Sequence, residues 1–310
     1  MAPLRRLIHS VQAFSQELRR TNAPTAPEKA EWARPRIGVA LGGGFARGMA
    51  HIGVLKVLEE EGIPIDYVAG TSIGAVIGAA YCSGISAREI GEIGSIVRWS
   101  DFARYTISRF GLCTNDRLAA FLGKIVKVRT FEELRIPLAV TATEFVTGNA
   151  VVFTSGELID RVRASCAYPG VFKPVYVDGK MMVDGLLAHS VPAAPLKKMG
   201  ADRVISVHFS AHWVKASPRH VLDIIGQCFS IAQANMSSVW RAHTDCLIEP
   251  NVDAFAFDEF SKTPQLVAVG EAAARAVLPE IRSWLEEPAT QMEVVPVRTT
   301  AVRTINPKIA

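Results

Sequence analysis

A chain of 310 residues that is 49% hydrophobic can bury a large core, and its length suits one big domain or two small ones. Its five cysteines (Cys82, Cys113, Cys166, Cys228 and Cys246) are scattered, odd in number and never in a C-x-x-C pair. That argues against a disulfide framework and a zinc site and implies a reducing compartment. The modest net charge of +4 gives no reason to expect a nucleic-acid partner, and no run of about 18 uninterrupted apolar residues is present to span a bilayer.

The charge is unevenly placed. Residues 1–36 hold seven Lys/Arg against three Glu, the whole excess. Leu4, Leu7, Ile8, Val11, Phe14 and Leu18 recur there at helical spacing, so a short basic amphipathic helix is expected. Two readings stay open: a foot on an anionic membrane surface, or a helix packed on the domain or on a partner chain. His9, Ser10 and Gln12 break the apolar stretch and argue against a cleaved secretory signal. The expected location is cytoplasmic, at most peripheral at the inner face of the membrane, and the oligomeric state is left open. Residues 21–27, rich in Ala, Pro and Thr, look like a linker.

From residue 36 the chain alternates. Residues 36–41 (RIGVAL) are a short apolar strand entering the glycine-rich run LGGGFARG at 41–48, and residues 49–61 follow as a helix with one apolar face. Residues 65–69 read as a second buried strand. It runs into Gly70-Thr71-Ser72-Ile73-Gly74, a G-x-S-x-G pentapeptide followed by a helix of small residues over 73–81. This is the setting of a nucleophile elbow, in which a tight strand-to-helix turn makes a serine hydroxyl stand out into a site. The glycine run at a helix start offers backbone N–H groups without intrahelical partners, able to hold a developing oxyanion. Residues 85–135 are irregularly helical, with Trp99, Phe102, Tyr105 and Phe110 crowded together as either core or a roof over the site. Strands are expected at 138–143 and 150–154 about a Thr-Gly-Asn turn, at 203–207 and at 246–249, with long helices at 219–244 and 265–287. No Pro/Gly/Ser-rich linker interrupts residues 36–286, which favours one domain over 36–287, its motif core at 36–200, with a tail at 288–310. Such alternation implies an α/β fold, a three-layer α/β/α sandwich on a mainly parallel sheet, with ligands beyond the carboxyl ends of the strands.

A serine hydroxyl needs a base. Of the seven histidines, His208 alone stands at a strand end after an aspartate in chain order, as a Ser-His-Asp esterase would require. The other candidate is Asp184, where the apolar run MMVD turns at Asp184-Gly185. One helix and one strand separate Gly44 from Ser72, whereas the usual Ser-His-Asp hydrolase has additional strands and helices between oxyanion loop and nucleophile. A third reading uses the 42–48 loop to bind a nucleotide or phosphate, but Phe45 breaks the dinucleotide fingerprint and no Lys-Ser/Thr completes a P-loop.

The stretch LGGGFARGMAHIGVLKVLEEEGIPIDYVAGTSIGAVIGAAY resembles the opening of a patatin-like phospholipase. The resemblance continues through TATEFVTGNAVVFTSGEL, RASCAYPGVFKPV and VDGLLAHSVPAAPLKKMGADRVISV, and covers roughly residues 36–250. It implies a patatin-like fold and a metal-free, cofactor-free lipid acyl hydrolase of phospholipase A, lysophospholipase or esterase type. Ser72 would be the nucleophile and Asp184 the base of a dyad, on an elbow flanked by Gly70 and Gly74. Gly42, Gly43, Gly44 and Arg47 would form the oxyanion loop and Gly185 the turn after the base. Two positions depart from the family pattern: Phe45 stands where a small residue is common, and Leu186 follows Asp184-Gly185 where Gly or Ala is usual, so Leu186 is expected to narrow the site or shift the carboxylate.

Overall fold

The computed structural model describes residues 34–106, 108–210, 217–218 and 221–286. The amphipathic helix expected before residue 34 and the tail expected from 288 lie outside them.

Strand β1 (Ile37–Leu41) leads through the glycine loop and a 3-10 turn (Phe45–Met49) into helix α1 (Ala50–Glu60). Strand β2 (Tyr67–Thr71) follows, and Ser72 joins it to helix α2 (Ile73–Cys82). The irregular stretch resolves into α3 (Ala87–Ile96), the single turn α4 (Trp99–Phe102), a small ribbon of β3 (Arg104–Tyr105) and β4 (Cys113–Thr114), and α5 (Asp116–Ile125). Next come β5 (Leu138–Glu144), β6 (Ala150–Phe153), α6 (Leu158–Ser165), β7 (Val175–Val177) and β8 (Lys180–Asp184). Helix α7 (Ala193–Met199), β9 (Arg203–Val207), α8 (Val221–Asn235), α9 (Ser237–Arg241), β10 (Cys246–Ile248) and α10 (Thr263–Glu286) complete the chain. The single helix expected over 219–244 is two, broken at Met236.

The sheet runs β10-β9-β1-β2-β5-β8-β7, with β6 also on β5. The pairs from β10 to β5 are parallel, and β6, β7 and β8 form antiparallel pairs. Side chains alternate between two layers. Ile37, Val39 and Leu41 with Val68, Leu138 and Val140 face the large core under α1, α2, α3 and α10. On the other face Ala40, Ala69 and Ala139 meet Val191, Ala193, Leu196 and Trp240. The small strand residues there admit α7 closely: a Cβ at Gly38 would sit 3.0 Å from Ala201 Cβ. Helices α1 and α10 approach just as closely, since a side chain at Gly53 would strike the backbone of Val267, and one at Gly270 that of Ala50. Among the described residues no helix is long and apolar enough to cross a membrane.

Strand β5 carries the decisive register. β2 pairs in parallel with its first half, ending Thr71↔Thr141. β8 pairs antiparallel with its second half, and Asp184 stands opposite Ala142. β6 overlaps both of these ranges on β5 and so takes the opposite edge. β2 and β8 therefore meet tip to tip along one edge of β5, and the residues at their tips are Ser72 and Asp184.

Candidate active site

Parallel pairing of β1 with β2, in the register Leu41↔Gly70, sets the glycine loop and the serine elbow side by side at the carboxyl ends of the strands. Ser72 adopts φ 55° and ψ −123°, a left-handed conformation held for a non-glycine residue at a strain of about 1–3 kcal/mol. Its neighbours Gly70 and Gly74 have no positive φ. They are needed for close approach: a Cβ at Gly74 would strike the Leu41 carbonyl, and one at Gly70 would lie 2.6 Å from Ala75 Cα. As first residue before α2, Ser72 forgoes side-chain capping, and its hydroxyl donates instead to Asp184 Oδ2 at 2.9 Å.

Asp184 is fixed on every side. Its N–H donates to Ala167 O at 3.0 Å, its carbonyl accepts from Thr143 Oγ1 at 2.9 Å, and its Oδ1 accepts from Leu186 N–H at 2.9 Å. The side chain is fully buried. Burial raises its pKa to about 7, against the lowering pull of the Leu186 N–H and the Ser72 hydroxyl. Gly185 is obligatory beside it, because a Cβ there would strike the Thr141 carbonyl.

The elbow has supports that sequence reasoning did not single out. Ser72 N–H donates to Ser165 Oγ at 2.8 Å, and Ser165 is fully buried at the end of α6. Thr71 Oγ1 donates to His189 O at 2.8 Å, so in its 2.6 Å contact with Thr141 the proton belongs to Thr141. Ser165 lies within the RASCAYPG stretch already quoted; nothing in its spacing assigned it to a backbone amide 93 positions away. His51, buried on α1, donates from Nε2 to Gly42 O at 2.7 Å, and burial lowers its pKa to about 4, so the ring is neutral. Its ring lies 4.7 Å from that of Phe209.

Two of the loop amides expected to hold an oxyanion are already engaged. Gly42 N–H donates to Val207 O and Gly43 N–H to Ser190 O, both at 3.1 Å, so these two amides anchor the loop and are not presented to a substrate. Gly44 N–H has no hydrogen-bond partner among the described residues. A Cβ at Gly44 would lie 2.7 Å from the Phe209 ring, which accounts for the third glycine. Arg47 is buried and donates from Nε to Phe255 O at 2.9 Å, tying the loop to the 253–257 segment. The occupied amides of Gly42 and Gly43 also withdraw two donors from any phosphate cradle in the loop, which argues against the nucleotide reading. His208 makes no bond to Ser72 or Asp184. Its ring packs 5.0 Å from that of Trp240, and burial lowers its pKa to about 4, so it is not part of this constellation.

The departures at Phe45 and Leu186 both resolve into packing. Phe45 takes φ 51°, and its ring meets Tyr168 edge-on at 4.9 Å and Phe257 at 5.7 Å. Leu186 is not among the residues lining the pocket at Ser72. It turns onto Gly43, in the space a Cβ would take, and joins Tyr168 and Phe172 in a small cluster. The pocket that Ser72 and Asp184 share is otherwise lined by residues such as Trp99, Phe102, Val76 and Phe172. Two of the four aromatic residues of the irregular stretch thus wall the site, while Tyr105 and Phe110 are exposed.

Residues 39–197 match the family described as patatin-like phospholipase. The chain belongs to that family. Among curated relatives, an uncharacterised NTE family protein of Mycobacterium tuberculosis is 34% identical over 194 residues, 60% of this chain and 52% of that one. Lysophospholipase NTE1 of Mycosarcoma maydis is 34% identical over 179 residues, 55% of this chain and 9% of that protein. The chain thus spans about half the length of the mycobacterial relatives and far less of the fungal one. Among solved structures, VipD of Legionella pneumophila aligns with TM-score 0.51 at 16% identity, covering 80% of this chain and 67% of VipD. The patatin-like fold is common to both.

Proposed function

We propose that this chain is a lipid acyl hydrolase that works through a Ser72-Asp184 dyad and an acyl-serine intermediate. The observation that carries the reading is the 2.9 Å hydrogen bond from the Ser72 hydroxyl to Asp184 Oδ2, on a strained elbow at the mouth of an apolar pocket. Family membership and the name of the fungal relative, a lysophospholipase, favour fatty-acyl esters of phospholipid type as substrates.

As Ser72 Oγ attacks the ester carbonyl carbon, its proton passes to Asp184 Oδ2. The carbonyl oxygen takes up the electron pair and is held by Gly44 N–H; losing one such donor typically costs about 3 kcal/mol in barrier. Collapse breaks the carbon–oxygen bond to the alcohol, which leaves with the proton from Asp184. Water then attacks the acyl-serine, gives its proton to the same carboxylate and releases the fatty acid while the proton returns to Ser72. Asp184, poised at about 7 by burial, is basic enough to accept the proton and acidic enough to return it.

Fluorophosphonate labelling and mass spectrometry of lipids from mixed extracts test this together. Wild type is expected to be labelled and to release free fatty acids. Ser72→Ala should do neither, Asp184→Asn should lose both to near background, and His208→Ala should retain both. Labelling lost with His208→Ala but kept with Asp184→Asn would overturn the dyad. An absence of any Ser72-dependent fatty-acid release would overturn the hydrolase reading.

A further inference from the structure

Beyond the pocket at Ser72 lies a second, smaller one, whose lining contains no polar side chain. Its far walls come from Ile77 and Ala80 on α2, Ile90 and Ile93 on α3, and Phe121 and Ile125 on α5. The two pockets share Ile73, Val76 and Phe102 as common walls. Ile73, Val76, Ile77 and Ala80 recur at i, i+3, i+4 and i+7, so they form one stripe along α2 that starts at the nucleophile. From Ser72 to Ala80 that stripe runs about 12 Å.

A close-packed interior keeps few voids larger than a water molecule, and one lined entirely by apolar side chains offers a water nothing to bond to. A space of this kind, sharing three wall residues with the place where an acyl carbonyl would sit, suits a hydrocarbon chain. We infer that the compartment between α2, α3 and α5 receives the distal part of the substrate's fatty-acyl chain, with Phe102 in the wall between the two pockets, and so sets acyl-chain length preference. This rests on the reading of Ser72 as acyl acceptor, and its test is built so that the two can fail separately.

Ile93 and Ile125 are half-buried at the edge of the compartment, so a larger side chain there fills it from two independent helices. Ile96, on the same helix as Ile93 but 77% exposed, is the control. Hydrolysis of p-nitrophenyl esters from butyrate to palmitate is measured for wild type, Ile93→Phe, Ile125→Phe and Ile96→Phe. In wild type each added methylene that enters the compartment should raise kcat/KM by about fourfold. Both filling variants should lower the palmitate-to-butyrate ratio by about tenfold or more and move the optimum to a shorter chain, while Ile96→Phe keeps the wild-type profile. In parallel, full-length Ser72→Ala is titrated with saturated fatty acids of rising length by displacement of a fluorescent fatty acid. Affinity should rise with chain length and, with Ile93→Phe added, stop rising at a shorter chain. If wild type cleaves no ester but this binding pattern holds, the hydrolase reading fails and the compartment stands. If the filling variants leave the length profile of hydrolysis and of binding unchanged, or depress all lengths alike, the compartment is a packing void and the inference is overturned.

Discussion

The side chain of Leu186 occupies the space that a Cβ on Gly43 would need, so the residue after the Asp184-Gly185 turn and the middle glycine of the loop are fitted to each other. Leu186 also donates its N–H to Asp184 Oδ1 at 2.9 Å, which links the loop to the carboxylate. Gly43→Ala is expected to overpack this contact, costing about 1–3 kcal/mol, and Leu186→Ala to leave a cavity costing about 2–5 kcal/mol. The double variant should be more stable than the sum of the two by about 0.5–3 kcal/mol, measured by urea denaturation. Strict additivity would mean that the two positions relax independently.

Ester hydrolysis should require ionised Asp184. With its pKa raised to about 7, kcat/KM is expected to fall about tenfold per unit below that pH and to level off above it. The stability consequence has the opposite sense. Asp184 starts from 3.8 when unfolded, so between 3.8 and about 7 the folded state holds the extra proton and stability falls as pH rises through that window. Asp184→Asn should therefore gain in Tm relative to wild type on going from about pH 5 to about pH 8. A pH–rate profile flat across neutrality, or a constant Tm gap, would show that the carboxyl is not buried as a titrating base. His51 acts in the other direction: lowered from 6.5 to about 4, it makes the fold lose stability as pH falls through that range.

The left-handed backbone of Ser72 is a cost that glycine would not bear. Ser72→Gly is expected to abolish hydrolysis as fully as Ser72→Ala, yet to be more stable than Ser72→Ala by about 1 kcal/mol in thermal or chemical denaturation. An alanine variant as stable as the glycine variant would mean that the elbow relaxes once the hydroxyl is gone.

Ser165 holds the elbow through the Ser72 N–H and touches no reacting atom. Ser165→Ala leaves a buried amide without its acceptor, which should destabilise the fold by about 1–3 kcal/mol. Turnover is expected to drop about ten- to hundredfold through misplacement of Oγ, with KM little changed. Ser165→Thr, which keeps the hydroxyl, should recover most of the rate.

The α/β alternation and the elbow were legible in the sequence because each depends on a local pattern, whereas the pairing of Ser72 with Asp184, 112 residues apart, came only through the family resemblance. A run of small and apolar residues sets a buried parallel strand, and glycines mark where backbones must touch. What escaped is what depends on long-range partners. Nothing local indicates that the Gly42 and Gly43 amides are taken by carbonyls of residues 207 and 190, leaving Gly44. The same holds for Arg47, whose place in the loop motif does not reveal that its guanidinium turns inward to Phe255 O. Leu186 looked obstructive beside the base because a sequence does not reveal which way a side chain leaves a turn. The break at Met236 was hidden by apolar residues that continue at helical spacing across it.

The meeting of β2 and β8 along one edge of β5 makes the pairing of Ser72 with Asp184, the proposed nucleophile and base, a property of the assembled sheet rather than of either segment. They stand 112 residues apart in the chain. A slip of β8 by one residue would carry the carboxylate to the opposite face of the sheet while leaving most backbone pairing intact. The turn at Asp178-Gly179 between β7 and β8 is where such a slip would be introduced, and Asp178 there already takes φ 50°. A one-residue insertion in that exposed turn, far from any substrate, is expected to produce a folded and silent protein.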